Sequence, residues 1–379
     1  MMKRRLFSPG PTPVPEEVLL SIAQPMQHHR LLPFRETFAR ASELLKNFFK
    51  TEEPVLTLTT SGTGSMEAAV SNLLSPGDEA IVVKGGKFSE RWGAICEAYG
   101  IKVLPIDLEW GKSVKPADVR AVLDKHPGAG AVFTTYTETS TGALTDIKGV
   151  ADVLGGTSTL LVVDGITGIG VHDFRFDEWG VDAAVTGSQK GLMIPPGLAF
   201  IALSKKAREN LKSSQCSRYY LDLGKYFESF EKGQNPFTPA ISLINGLSRA
   251  LETIFEEGLE EIFRRHQRLG DATRAAVGAL GLQLLPEIPC NVLTALWIPG
   301  SIDGIELLNY MRDELGVMVA GGQGHLTGKI IRIGHVGYFD DFDMLTAIAA
   351  LERALLHCGY DHETGAGLVA AHKEFIKSY

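Results

Sequence analysis

Hydrophobic and polar positions follow two rhythms along this chain. From residue 55 onward, short runs rich in Val, Leu, Ile and Thr alternate with stretches whose apolar positions recur every three or four residues. Residues 55–59 read as a strand. After them Met66, Ala69, Val70, Leu73 and Leu74 fall at i, i+3, i+4, i+7 and i+8, one face of a helix. Ser75-Pro76-Gly77-Asp78 stops that helix. Residues 80–83 form the next expected strand, and Trp92, Ile95, Cys96 and Tyr99 line the helix behind it. Further strands are expected at 101–106, 131–135, 159–163, 182–187 and 198–203. Strands joined by helical crossovers predict a mainly parallel sheet covered on both faces. In such sheets ligands bind beyond the carboxyl ends of the strands, so the residues closing each strand are where chemistry is sought.

After about residue 205 the rhythm changes. Two long helical stretches, around 239–256 and 258–280, lead into a smaller unit with strands expected at 292–298, 317–320 and 330–334. Its last helix is marked by Met344, Ile348, Leu351 and Leu355. The expected division is an N-terminal arm over 1–20, a large domain over 21–255 and a small α/β domain over 256–379. The tail from residue 359 is polar and shows no readable pattern.

Composition narrows the function classes. A chain of 379 residues, 44% hydrophobic and 22% charged, can bury a sizeable core, as soluble globular proteins do. A net charge of −8, with no long Lys/Arg run, argues against nucleic acid as a partner. No apolar run approaches the ~18 residues of a membrane span, and the basic start meets Pro and Gly before a signal-peptide core could form. Cys96, Cys216, Cys290 and Cys358 lie far apart, which suggests neither a zinc site nor a disulfide framework. A cytoplasmic protein without a metal is the expectation.

Three strand ends carry candidate chemistry. Ser61-Gly62-Thr63-Gly64-Ser65 lies between a strand and a helix, where glycines permit close approach and the helix start favours an anion. The Thr63 and Ser65 hydroxyls can donate as well. Asp164 closes the run 159–163, and Lys190 follows the run 182–187. Each has an ordinary reading when taken alone: a turn, a helix cap, a solvated charge. Together they supply an anion cup, an acid and an amine at the ends of different strands. A phosphate, a pyridinium nitrogen and an aldehyde need such a set, and pyridoxal phosphate carries all three.

The motifs SPGPTPVP, SGTGS, ETSTG, VVDGITGIG, TGSQKG and IIRIGHVG, in that order, resemble those of the class V aminotransferases, particularly the alanine–glyoxylate and serine–pyruvate enzymes. The resemblance runs from about residue 7 to 357. It implies a fold-type I pyridoxal-phosphate transferase: a large domain with a mostly parallel seven-stranded sheet, a smaller C-terminal α/β domain, and a homodimer with a shared active site. It implies that Lys190 holds the cofactor as a Schiff base and that Asp164 pairs with the ring nitrogen. Thr63, Gly64, Ser65 and Gln189 would hold the phosphate, with Thr139 beside the ring. Ile166 would pack on one ring face and Phe88 on the other, where relatives often have Trp. Arg332 would take the substrate carboxylate, with Pro9 and Gly10 at the mouth and His28, His29 and Arg30 either near it or simply polar groups on the arm. Thr238 would reach the neighbouring subunit's phosphate, although Asn235 stands where relatives often have Tyr.

The implied reaction is ping-pong transamination between a small amino acid (alanine or serine, with aspartate as a further donor) and glyoxylate or pyruvate. A cysteine desulfurase is disfavoured, because Gln189 precedes the lysine where those enzymes usually have His, and the loop 319–329 has no Cys. A lyase, or a non-catalytic subunit of a larger complex, would also be compatible with the same fold.

Overall fold

The computed structural model describes residues 2–377. Its central sheet has seven strands: β1 (Val55–Leu58), β2 (Glu79–Lys84), β3 (Lys102–Asp107), β4 (Ala131–Thr135), β5 (Leu160–Asp164), β6 (Ala183–Gly187) and β7 (Ala199–Leu203). They lie in the order β1-β7-β6-β5-β4-β2-β3. β7 runs antiparallel to both its neighbours, and the other pairings are parallel. β4 to β7 are buried along their whole length, which is why they read as continuous apolar runs rather than alternating ones.

Helices cover both faces. On one side α1 (Gly62–Leu73) buries Met66, Ala69, Val70 and Leu73, as their spacing predicts. α2 (Ser89–Ala98) adds Trp92 and Cys96 to the same cluster. A fully buried Val or Leu contributes roughly 1.5–3 kcal/mol of transfer free energy, so these few positions suffice to seat the helix. With the helices seated, the carboxyl ends of β1, β2, β4, β5 and β6 gather at one edge.

Beyond the sheet, α3 (Ile241–Glu257) and α4 (Leu259–Ala279) lead to a three-stranded sheet of β8 (Leu293–Trp297), β9 (Ala320–Gly321) and β10 (Ile330–Gly334). The run 317–320 is not one strand. Val317–Met318 pairs in parallel with Arg5–Leu6 of the N-terminal arm, whereas Ala320 pairs with Arg332. The polar tail is not featureless either. After α5 (Asp341–His357), α6 (Ala366–Lys377) buries Gly367, Ala371 and Phe375. Glu352 of α5 is itself buried and accepts from the N–H groups of Gly365 and Leu368 at the start of α6, at 2.8 and 3.0 Å.

The arm fastens the N-terminus to this smaller unit. Arg5 and Phe7 donate to Gly316 and Met318, each at 2.7 Å, and the Phe7 ring stacks on Phe339 at 5.4 Å. Gly334 donates back to Phe7 at 2.7 Å. From there the chain runs through Pro9 and Gly10 toward the carboxyl end of the large sheet. Among the described residues no helix is long and apolar enough to cross a membrane.

Candidate active site

α1 starts directly after β1, with Ser61 extended before it. Gly64 and Ser65 donate to the Ser61 carbonyl, while the N–H groups of Gly62 and Thr63 have no acceptor within the helix. Two glycines are sterically required here. A β-carbon on Gly64 would meet Thr60 Oγ1 at 2.1 Å, and one on Gly62 would meet Ile166 at 2.6 Å. Thr63 Oγ1 lies on the cavity side and accepts from Arg91 at 2.9 Å. Ser65 points inward in this structure. Its hydroxyl is fully buried and donates to the Gly62 carbonyl at 2.8 Å, so it is spent inside the helix.

Thr63, Phe88, Thr139, Asp164, Ile166, Gln189 and Lys190 line one cavity, together with Ser61, Gly62, Arg91, Thr137 and Thr167. Asp164 ends β5 and is buried. One of its oxygens accepts from the Ile166 N–H at 2.9 Å, and the other has no protein donor among the described residues. Burial is the main reason its carboxyl is raised from 3.8 to about 7. Lys190 Nζ donates to the Pro9 carbonyl at 2.8 Å. Burial brings its ammonium down from 10.5 to about 8; Asp164 opposes this shift, and Arg332 and Arg91 reinforce it. Gly10, at φ +136°, passes so close that a β-carbon there would lie 2.0 Å from Nζ. Pro9 and Gly10 thus touch the lysine itself.

Arg332 sits mid-strand in β10 at 6% exposure. It donates from Nε to Gly321 O at 2.9 Å and from Nη1 to Thr139 O at 2.6 Å. Thr139 therefore joins the cavity to the arginine behind it. Arg332 makes no ion pair among the described residues. Burial lowers its guanidinium to about 10, still a cation at neutral pH. The nearby Glu138 carboxylate offsets part of that burial, and an arriving carboxylate in direct contact would offset more of the cost of a buried cation.

Two residues not named among the expected site residues complete the arrangement: Glu138, the first residue of the ETSTG motif, and Arg91. Glu138 is buried and accepts from the N–H groups of Phe88, Ser89 and Ser140 and from the Ser140 hydroxyl, between 2.6 and 3.3 Å. It pins the loop after β2 to the loop after β4. Arg91 lies one helical turn beyond Phe88, with its guanidinium 5.1 Å from that ring. The i, i+3 spacing of the two was the available signal.

Other expected residues lie apart from this chain's cavity. Thr238 is exposed. Asn235 donates to Thr57 O at 2.9 Å, and its own carbonyl oxygen is buried without a partner. His28 and His29 stack on one another at 4.9 Å, and Arg30 bonds Gln234 at 2.6 Å.

The donor set fits pyridoxal phosphate. Free N–H groups and Thr63 suit the phosphate, the open Asp164 oxygen suits a protonated ring nitrogen, and Lys190 suits the aldehyde. The Asp164 environment also makes a prediction for the cofactor-free protein. Unfolded, its carboxyl ionises above 3.8; folded, it keeps its proton to about 7. The stability it contributes is thus fully present below pH 3.8 and is lost as pH rises to about 7, at up to about 1.4 kcal/mol for each pH unit crossed. Denaturant melts should show wild type losing stability relative to Asp164→Asn across that window. Parallel pH profiles would mean the carboxylate is well solvated.

Comparison with known proteins agrees with this geometry. The family model for Aminotransferase class-V matches residues 5–333. A soluble hydrogenase small subunit from Synechococcus sp. is 44% identical over 97% of each chain. An L-aspartate–glyoxylate aminotransferase from Paracoccus denitrificans is 37% identical, covering 98% of this chain and 96% of its own. The crystal structure of ureidoglycine–glyoxylate aminotransferase from Bacillus subtilis superposes with a TM-score of 0.95 at 28% identity, over 99% of each chain. An acid, an amine and an anion cup at the ends of three different strands, and a family match over most of the sequence, lead to one assignment: the chain belongs to the pyridoxal-phosphate-dependent class V aminotransferases.

Proposed function

We propose that the protein transfers the amino group of a small amino acid, alanine or serine first among them, to glyoxylate or pyruvate. The observation that carries this reading is Arg332: a buried guanidinium without an ion pair among the described residues, held by two carbonyls and joined through Thr139 to the cavity containing Lys190. An α-carboxylate is its natural counter-ion, since the guanidinium fork matches it in charge and shape. The Paracoccus and Bacillus aminotransferases both carry glyoxylate in their names, which supports that acceptor here.

Bound pyridoxal phosphate supplies the electron-withdrawing ring that acidifies the amino acid's α-hydrogen. This chain's residues do the rest. Asp164 holds a proton at the ring nitrogen. Arg332 orients the carboxylate so that Cα faces Lys190 Nζ. Lys190, brought toward neutrality by burial, takes the proton from Cα as a general base and returns it on the other side of the transfer. Phe88 and Ile166 wall the ring.

Half-reactions test the assignment. Loss of the cofactor's visible absorbance is followed with alanine, serine, aspartate and other amino acids in turn. Fast loss with alanine or serine is expected; loss with aspartate alone would move the substrate class. The name of the Synechococcus relative raises a second role, assembly with other proteins. A purified chain that stayed colourless with added pyridoxal phosphate would favour it.

The active unit in this reading is a homodimer in which Thr238 completes the neighbouring chain's phosphate site. Thr238 is exposed, and Leu19, Leu20, Met26, Leu31 and Leu32 expose apolar surface within one N-terminal segment. Thr238→Ala should raise the cofactor dissociation constant about 10- to 150-fold, as expected for a hydrogen bond to a charged group. Co-expressing Lys190→Ala with Thr238→Ala chains should give heterodimers that carry both defects in one site and retain half of wild-type activity. A fully active monomer would end the proposal.

A further inference from the structure

We infer that Arg91 is the positioning residue for the cofactor's phosphate, acting through Thr63 and by its own charge. The inference rests on the reading of this cavity as a pyridoxal-phosphate site. Three observations carry it. Arg91 stands in the first turn of α2 and lines the same cavity as Ser61, Gly62, Thr63 and Gln189. It makes no ion pair among the described residues, so its charge is not spent on a carboxylate. Its Nη1 donates to Thr63 Oγ1 at 2.9 Å.

That last bond has a directional consequence. A hydroxyl oxygen that accepts from Arg91 must point its own hydrogen elsewhere. Gly62 and Thr63 present free N–H groups at the start of α1, so a phosphate oxygen seated there would receive the Thr63 O–H as well. The guanidinium stands immediately behind, and its aromatic contact with Phe88 at 5.1 Å keeps it from turning outward. With the Ser65 hydroxyl bonded inside the helix, Thr63 stands with Ser61 and Gln189 as a side-chain donor at the anion end of this chain's cavity, and Arg91 sets the direction in which Thr63 donates.

The test uses cofactor-free protein and two ligands that share a ring: pyridoxal phosphate and pyridoxal, which lacks the phosphate. Equilibrium dialysis is run on wild type, Arg91→Gln, Arg91→Lys, Thr63→Val and the Arg91→Gln/Thr63→Val double variant. Arg91→Gln should weaken pyridoxal phosphate about 10- to 150-fold, the range for a hydrogen bond to a charged group. Pyridoxal should be almost unaffected. Arg91→Lys should recover part of the loss, because it restores charge without the fork. The double variant should lose less than the product of the single losses, since the two residues act as one unit. Inorganic phosphate should compete with pyridoxal phosphate less well in Arg91→Gln than in wild type.

Equal weakening of both ligands would overturn the inference and assign Arg91 to the Phe88 ring wall. Unchanged binding of both would overturn it outright, as would a loss confined to the KM for aspartate, which would place a side-chain carboxylate at the guanidinium. Wild-type protein that binds neither ligand would overturn the cofactor reading itself, and the role of Arg91 with it.

Discussion

Lys190→Ala is expected to reduce transamination by several orders of magnitude while the protein still folds. General-base proton transfer alone is worth roughly 10²–10⁴-fold, and the same side chain is also the covalent anchor. The fold should survive because the lysine has no ion pair among the described residues. Its amine is held by one carbonyl, Pro9 O, and burial already disfavours its charged form. Removal also withdraws a cation that pulls the Asp164 carboxyl downward, so Asp164 should hold its proton more firmly in the variant. Steady-state rates with alanine and glyoxylate decide the matter. Turnover within about tenfold of wild type would be too high for the loss of a general base and would sink the assignment.

Arg332→Ala should strike the substrate rather than the cofactor. Truncating one partner of a buried, hydrogen-bonded charge pair costs ~2–5 kcal/mol, or roughly 30- to several-thousand-fold in kcat/KM. The substitution also strands the carbonyls of Gly321 and Thr139, which lose their donors. Arg332→Lys is therefore the informative companion: it keeps the charge, cannot make the two-bond fork, and should recover only part of the loss. Cofactor absorbance should remain intact in both. A variant that bound amino acids normally but lost the cofactor would make Arg332 structural.

The residues that proved readable in the sequence are those whose meaning is set by position along the chain. Asp164 closes a strand and Lys190 lies three residues past the end of the next, and an apolar parallel strand announces its own end. The runs 131–135 and 330–334 match their strands residue for residue. Where partners are distant in the chain, the pattern gives out. The run 317–320 holds four apolar positions in a row, but one half pairs with the N-terminal arm and the other with β10. The last helix eluded the pattern because two of its three buried positions, Gly367 and Ala371, are small, while Val369 and Ile376 are exposed. Its N-terminal cap comes from Glu352, more than ten residues upstream. Glu138 and Arg91 follow the same logic. Glu138 matters through the loop after β2, and Arg91 through Thr63, 28 residues away.

The N-terminal arm leaves a practical constraint on anyone handling the protein. Within a few residues it goes from a backbone ladder on the smaller unit to the carbonyl holding the Lys190 amine, and Thr12 then bonds the Lys190 carbonyl at 3.3 Å. A rigid-body shift of the smaller unit would thus be passed along the arm's backbone and reach Lys190 through the Pro9 carbonyl. For the same reason, a clone trimmed to begin after Gly10 would remove the carbonyl that holds the Lys190 amine. Low activity in such a preparation would be an artefact of handling and not a property of the enzyme.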